Sequence, residues 1–368
     1  MPHHICCIIG TRPEVLKMAP VVKALQANPD FDVSLLLTGQ HDELLDQASQ
    51  LFQLPIVHNL KIMQHDQSLS DLSARLLEKM SAFFTEKKPD MIIAQGDTTT
   101  TFIAALTCFY LKIPFGYVES GLRSGNLYRP FPEEMNRQFA SKIAVLNFAP
   151  TEISKQNLLD DRISPETIFV TGNTVIDTLL DFSKKNYPCP IQTPIQNKHK
   201  IILVTCHRRE NFGQPFKQIC AALNQIVKKH VDVEIVYPVH PNPQIKIPAF
   251  ELLKHERIHL IEPVDYPNLV ALMQHCYLII TDSGGLQEEA PTLKKPVLVM
   301  RTETERPEGL LAGAAKMVGI ETDLIVDTAS KLLTDQSEYQ KMIVEKSPYG
   351  DGHASERIAV AIQQFFMK

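Results

Sequence analysis

Two doubly wound α/β domains, each Rossmann-like and built on a parallel sheet, are the fold class this sequence predicts, and three observations carry the prediction. Short apolar, β-branched runs alternate with longer stretches in which apolar residues return every three or four positions. The alternation stops at a proline-bearing polar segment, residues 184–200, and then restarts with the same rhythm. Polar and charged residues gather just after the apolar runs, where an open parallel sheet collects its ligands. The two sets of loops are expected to face each other across a cleft.

In the first half the strands are expected at 5–10 (ICCIIG), 33–39 (VSLLLTG), 91–97 (MIIAQGD), 115–121 (FGYVESG) and 168–173 (IFVTGN), with helical spacing over 13–27 and 68–88. In the second half they fall at 200–207, 233–240, 257–263, 277–285 and 295–301. The first domain is expected to span 1–171 and the second 172–353, and the amphipathic stretch from Ser355 to Met367 reads as a helix crossing back onto the first domain.

The chain has 368 residues, 44% hydrophobic and 21% charged, with a formal net charge of -5, which fits a globular protein with a small-molecule ligand. The densest basic patch is Arg208-Arg209, which argues against a nucleic-acid or membrane partner. Seven cysteines occur without CxxC or finger spacing, so a reducing cytoplasm is expected and neither a disulfide framework nor structural zinc is indicated. Cys6 and Cys7 read as core residues, and no stretch is apolar for long enough to serve as a secretory leader or a membrane span. His41 and His240 lack the spacing of metal ligands.

Residues 281–291, TDSGGLQEEAP, pose a question of charge, because Ser283, Gly284 and Gly285 form a turn that invites an anion and two glutamates follow at once. Backbone N–H groups at a helix start favour phosphate, and a carboxylate one turn further in can accept from a ribose diol. The ligand that suits both is a nucleotide. Arg12 in GTRPE and Arg306 in TERPE offer cationic forks for a diphosphate, although either arginine alone reads rather as a surface ion pair. The first domain supplies acids: Asp97 and Glu119 at strand ends, and Glu133 with Glu134 opening a helix. Singly, such acids cap or pair, and Glu133 also suits a helix dipole. Together with His207 in one cleft they would raise one another's pKa, as acid–base chemistry requires. Cys206 is a poor nucleophile because neighbouring strand residues point apart. The threonines of QGDTTTTF either cap backbone donors or touch a sugar. No GxGxxG follows the first strand and no Walker pattern occurs, so nicotinamide binding and P-loop chemistry lose support.

The segments GTRPE, TGQH, GDTTTTF, ESGLRSGN, PFPEEMNR, VTGNTVIDTL, CHRRENFG, TDSGGLQEEAP and ERPE resemble, in order and over nearly the whole chain, those of the bacterial non-hydrolysing UDP-N-acetylglucosamine 2-epimerases. The resemblance implies a glycosyltransferase GT-B-like fold and a homodimer. It also implies reversible conversion of UDP-GlcNAc to UDP-ManNAc without metal or nicotinamide, by elimination of UDP to a 2-acetamidoglucal and re-addition. Carried over by motif, Asp97, Glu119 and Glu133 are implicated in proton transfer, with Arg12, Lys17 and Arg137 lining the cleft. His207 lies near the diphosphate, Ser283, Gly284 and Gly285 bind phosphate, Glu289 the ribose and Arg306 the diphosphate. Leu269 stands where many relatives place an aromatic residue against the uracil. Some members have a second, activating UDP-GlcNAc site; Gln40 and His240 match it, whereas Asp66 replaces an arginine and Glu43 a glutamine. The rival readings are a hydrolysing epimerase releasing ManNAc and UDP, an epimerase of a modified UDP-HexNAc, a glycosyltransferase, and a nucleotide-sugar sensor.

Overall fold

A computed structural model describes residues 1–39, 52–54, 56–64, 67–191 and 198–368. The chain divides into two compact units, Met1–Thr178 with Tyr349–Lys368, and Leu179–Pro348. The division falls inside the helix Thr174–Ser183, upstream of the segment 184–200. Its early residue Asp177 bonds to the first unit's returning chain, while its late residue Phe182 packs edge-on against Tyr266 of the second unit.

In the first unit the strands are β1 (His3–Ile9), β2 (Phe31–Leu37), β3 (Ile56–Asn59), β4 (Met91–Gln95), β5 (Phe115–Val118), β6 (Leu146–Ala149) and β7 (Ile168–Val170). They form one parallel sheet in the order β3-β2-β1-β4-β5-β6-β7. The second unit contributes β8 (Lys200–Thr205), β9 (Val233–Pro238), β10 (Ile258–Ile261), β11 (Leu278–Thr281), β12 (Val297–Val299) and β13 (Ala315–Met317), again parallel, in the order β10-β9-β8-β11-β12-β13. Each sheet therefore reverses its winding once, between β1 and β4 and between β8 and β11, and these are the points where an open α/β sheet opens a crevice.

The expected strands all stop short of their tails, and in three of them the local reason is a residue at positive φ. β4 ends at Gln95 because Gly96 turns at φ +79°, β5 at Val118 because Glu119 turns at φ +66°, and β7 at Val170 ahead of Gly172 at φ +91°. Asp97 and Glu119 thus lie on loops just beyond the strands. β3, β6 and β13 were not among the expected strands, being three or four residues long and interrupted by polar positions such as Asn147 and Lys316.

Helices cover the sheets and the core lies between. In the first unit Ile8, Ile92 and Tyr117 pack with Leu76, Met80 and Phe84. In the second, Ile202, Ile235 and Tyr237 pack with Phe216, Leu223 and Ile226. All seven cysteines are buried and unbridged, consistent with core roles for Cys6 and Cys7. Among the described residues no helix is long and apolar enough to cross a membrane.

The last helix, Ala354–Phe366, belongs to the first unit. Asp177 accepts at its N-terminus from Ala354 N (3.2 Å), Ser355 N (2.8 Å) and Ser355 Oγ (2.6 Å). At its far end Phe366 stacks on His3 with ring centroids 4.0 Å apart.

Gly121 fixes the turn after β5. Its φ is +93°, and a Cβ there would lie 2.2 Å from the Ser154 carbonyl oxygen, a backbone atom that cannot step aside. Gly121→Ala is expected to destabilise the first unit by more than about 2 kcal/mol, read by urea unfolding; an unchanged midpoint would show that the loop has room.

Candidate active site

At the first winding reversal, the loops after β1 and β4 lie side by side and are joined by Glu14. This residue sits in the first turn of the helix Arg12–Gln26 and is 4% exposed. Its Oε2 accepts from Gly10 N (2.5 Å) and Thr11 N (2.9 Å), and its Oε1 accepts from Thr98 Oγ1 (2.7 Å) across the divide. Burial, with a smaller push from the charge of Asp97, raises the Glu14 carboxyl to about 7 against the lowering effect of those three donors. The threonines beside it are largely structural. Thr98 caps the helix Thr99–Leu111 through Thr101 N, and Thr100 packs where a Cβ on Gly10 would come within 2.6 Å of its hydroxyl.

Asp97 and Glu119 project from neighbouring loops, and each carboxylate is met by a cation. Asp97 Oδ2 accepts a forked pair from Arg137 Nε (2.9 Å) and Nη2 (2.5 Å), while Arg137 Nη1 donates to the fully buried Glu134 (3.0 Å). Arg137 and Glu134 belong to the helix Glu133–Ile143, whose first residue, Glu133, is half-buried. Glu119 Oε1 accepts from Lys17 Nζ and from Asn173 Nδ2 (3.1 Å), and its Oε2 accepts from Gln95 Nε2. Its left-handed backbone is unusual for a non-glycine residue and marks a position held by its surroundings. Half-buried Asp97 and buried Glu119 thus each have a cation of their own beside them. Arg12, at the start of its helix, makes no ion pair with any described residue.

The second winding reversal is also bridged by a carboxylate. Asp282, fully buried after β11, accepts from His207 N (2.9 Å), Arg208 N (2.9 Å) and Asn211 Nδ2 (3.0 Å) of the loop after β8. His207 Nδ1 lies 3.2 Å from the same carboxylate. Burial lowers the pKa of His207, partly offset by Asp282. A neutral ring that donates Nδ1–H to Asp282 presents Nε2 as an acceptor. His240 stacks on this ring, with centroids 5.8 Å apart.

Ser283 precedes a helix of six residues, Gly284–Glu289, without a side-chain capping bond, and a tight turn continues the helix, so the dipole expected at the glycines is that of a short helix. The two glycines differ. A Cβ on Gly284 would meet the Arg306 guanidinium at 2.6 Å, whereas one on Gly285 would find nothing nearer than 3.7 Å. The protein's own arginine thus occupies the space over Gly284, and only Gly285 is open to a close approach. Arg306 is engaged by Glu288 (Nε to Oε1, 2.7 Å) and by Glu305. Burial would raise the Glu305 carboxyl, but Arg306 and Arg301 override it and hold the group well below the usual carboxylate range. Glu289 accepts from the Tyr266 hydroxyl at 2.6 Å. Leu269 is half-buried in the first turn of the helix Tyr266–His275.

The structure thus groups Arg12, Lys17, Asp97, Glu119, Glu133 and Arg137 in the first unit, and His207, His240, Leu269, Ser283, Gly284, Gly285, Glu289 and Arg306 in the second. Gln40, His41, Glu43 and Asp66 lie outside the described residues. Sequence reasoning missed Glu14, Asp282, Gln95 and Asn173. For Glu14 the signal was present, as a Thr-x-x-Glu capping box at the head of a helix. Among the described residues no cluster of His, Cys, Asp or Glu is arranged to hold a metal ion.

Two parallel sheets, each wound both ways from a reversal point lined with polar residues, define an α/β protein of GT-B-like class. A family model described as UDP-N-acetylglucosamine 2-epimerase matches residues 23–363. The UDP-N-acetylglucosamine 2-epimerase of Escherichia coli strain K12 is 46% identical over 373 residues, covering 98% of each chain. That of Salmonella typhimurium strain LT2 is 47% identical over 370 residues, again covering 98% of each. The crystal structure of the Neisseria meningitidis UDP-GlcNAc 2-epimerase bound to UDP-GlcNAc superposes with a TM-score of 0.91 at 40% identity, covering 99% of this chain and 100% of that one. The chain belongs to the UDP-N-acetylglucosamine 2-epimerase family.

The raised Glu14 pKa has a signed consequence. Between about 4.5 and 7 the folded chain holds more protons than the unfolded one, so the contribution of this group to stability falls as pH rises through that window. Glu14→Gln removes the slope. The stability of the wild type relative to the variant is expected to fall with pH by at most about 1.4 kcal/mol per unit, measured by urea unfolding at a series of pH values; a constant difference would contradict the assignment.

Proposed function

We propose that the chain interconverts UDP-N-acetylglucosamine and UDP-N-acetylmannosamine without net hydrolysis. A base removes the proton from the carbon bearing the acetamido group as the anomeric C–O bond breaks and UDP departs with the electron pair, leaving a 2-acetamidoglucal. UDP then adds back while a proton arrives on the opposite face, so atoms and charge balance over the cycle. The family membership supports the substrate, and one observation supports the chemistry. Asp97 and Glu119 stand on adjacent loops beside the winding reversal of the first sheet, each within reach of a cation and the second on a strained backbone. That carbon is weakly acidic, so its deprotonation needs a placed base and a stabilised leaving group.

On this reading Asp97, Glu119 and Glu133 handle protons, and Arg12, Lys17 and Arg137 hold the charge of the sugar diphosphate. In the second unit His207, Ser283, Gly285 and Arg306 take the diphosphate, Glu289 the ribose and Leu269 the uracil face. Arg306, already balanced by Glu288 and Glu305, serves as an oriented donor rather than a bare charge. The reading places the enzyme in the cytoplasm as a homodimer and invokes neither metal nor nicotinamide.

Incubating the protein with UDP-GlcNAc in deuterated water and following the sugar by NMR tests this reading. Deuterium beside the acetamido group with the UDP linkage intact is expected, whereas accumulation of free ManNAc and UDP would replace it with the hydrolysing reading. Asp97→Asn is expected to cut turnover by roughly a hundredfold or more while UDP affinity stays near that of the wild type. Near-normal turnover in that variant would take Asp97 out of the mechanism.

A further inference from the structure

Gln95, the last residue of β4, is 4% exposed, and its two amide ends are treated very differently. Its Nε2 donates to Glu119 Oε2, whereas its Oε1 is buried and makes no hydrogen bond with any described residue. The backbone here is firmly held. Gln95 pairs with Val118 in the ladder, and its carbonyl accepts from Thr101 Oγ1 at 2.8 Å. The polar groups facing Glu119 are Lys17 from the helix Arg12–Gln26, Asn173 from the loop after β7, and Gln95 from β4. Lys17 and Asn173 bond Oε1, and Gln95 bonds Oε2.

A carboxyl group surrounded only by fixed N–H donors is favoured in its ionised form and resists gaining a proton. A group that shuttles a proton needs a neighbour able to serve both states. A primary amide can do this, because a half-turn about its last bond exchanges donor for acceptor at one place. In a buried site such a turn ordinarily breaks the bond made by the other end and leaves a polar group unsatisfied. At Gln95 the other end makes no such bond, so the turn sacrifices none.

We infer that Gln95 is a positioning residue that follows the proton on Glu119, donating N–H to Oε2 when the carboxylate is ionised and turning to accept the O–H when Oε2 is protonated. The inference rests on the proton transfer proposed above. In the step concerned, a C–H bond of the sugar and an O–H bond on Glu119 are exchanged in one direction or the other, and the covalent bonds of the amide are unchanged. Gln95 does not touch the sugar. It keeps the carboxyl plane aimed through both states.

The test uses Gln95→Met, which keeps the length and burial but has no donor and a poor acceptor. With UDP-GlcNAc as substrate, kcat, KM and deuterium uptake next to the acetamido group are measured from roughly pH 6 to 9. A fall in kcat of about tenfold with KM within about twofold is expected. The midpoint of the acidic limb of kcat should stay where the wild type has it, because donor and acceptor are lost together. Displacement of that midpoint upward by about one unit would show a fixed donor and overturn the inference; so would an unchanged kcat. Gln95→Asn, which keeps a two-faced amide on a shorter stem, is run beside it in case Gln95→Met does not fold. It is expected to keep the same midpoint with a smaller loss of kcat, and a displaced midpoint would again overturn the inference. A wild type that takes up no deuterium would bring down the epimerase reading and this inference with it. A wild type that does, with a variant indistinguishable from it, would bring down this inference alone.

Discussion

Each sheet is held at its winding reversal by one buried carboxylate, and the placement of the candidate residues depends on those two groups. Where a parallel sheet changes direction the loops on either side diverge, leaving backbone donors pointing into the gap. Glu14 collects Gly10 N and Thr11 N from one side and the Thr98 hydroxyl from the other. Asp282 collects His207 N, Arg208 N and Asn211 Nδ2. The two carboxylates perform the same joining task with different consequences. Glu14 has no cation among those contacts and is pushed toward neutrality, whereas Asp282 lies beside the His207 imidazole and sets its orientation. Arg12 and Asp97 in one unit, and His207 and Ser283 in the other, are immediate chain neighbours of these tied atoms or lie within two residues of them.

Beyond the joints, the sites are built from charges that cancel at short range. Arg137 stands between Asp97 and Glu134, Lys17 against Glu119, and Arg306 between Glu288 and Glu305. Buried ion pairs of this kind are costly to desolvate and contribute little net stability compared with apolar packing of the same volume. Their value here lies in orientation. A guanidinium flanked by two carboxylates cannot swing, so its remaining N–H vectors are fixed before any anion arrives. The same economy answers the question raised by a glycine turn followed at once by two acids, since Glu288 serves Arg306 and Glu289 serves Tyr266.

The fold class was legible because buried parallel strands leave an unmistakable mark in runs such as Ile5–Ile9 and Ile201–Val204, which are apolar on both faces. β6 escaped notice because Asn147 interrupts it; buried there, its amide oxygen accepts from Ser120 Oγ, 27 positions away, and its Nδ2 donates to the carbonyls of Ser141 and Ala144. Asp97 and Glu119 could be placed at strand ends from sequence, and the residues that restrain them could not. Gln95 reads as one more residue of an apolar strand, and Asn173 as the tail of another, until the strands are laid side by side. Glu14 had a local motif that reads simply as a helix cap. Its second role, reaching Thr98 84 residues later, is a tertiary fact with no local signature. The contrast between Gly284 and Gly285 likewise depends on Arg306, which approaches from a separate loop.

The return of the last helix to the first unit bears on how the chain acquires its structure as it leaves the ribosome. Asp177 is synthesised long before Ala354 and Ser355, the residues whose N–H groups it accepts. The helix Arg12–Gln26 packs against a segment that begins more than three hundred positions later in the chain. The second unit lies wholly between these partners and is complete first, so the unit whose translation starts earliest is the one that closes last. Until the final turn emerges, the acid-bearing half of the molecule carries an uncovered apolar stripe, and the nascent protein is exposed to misassociation through the part that was made first.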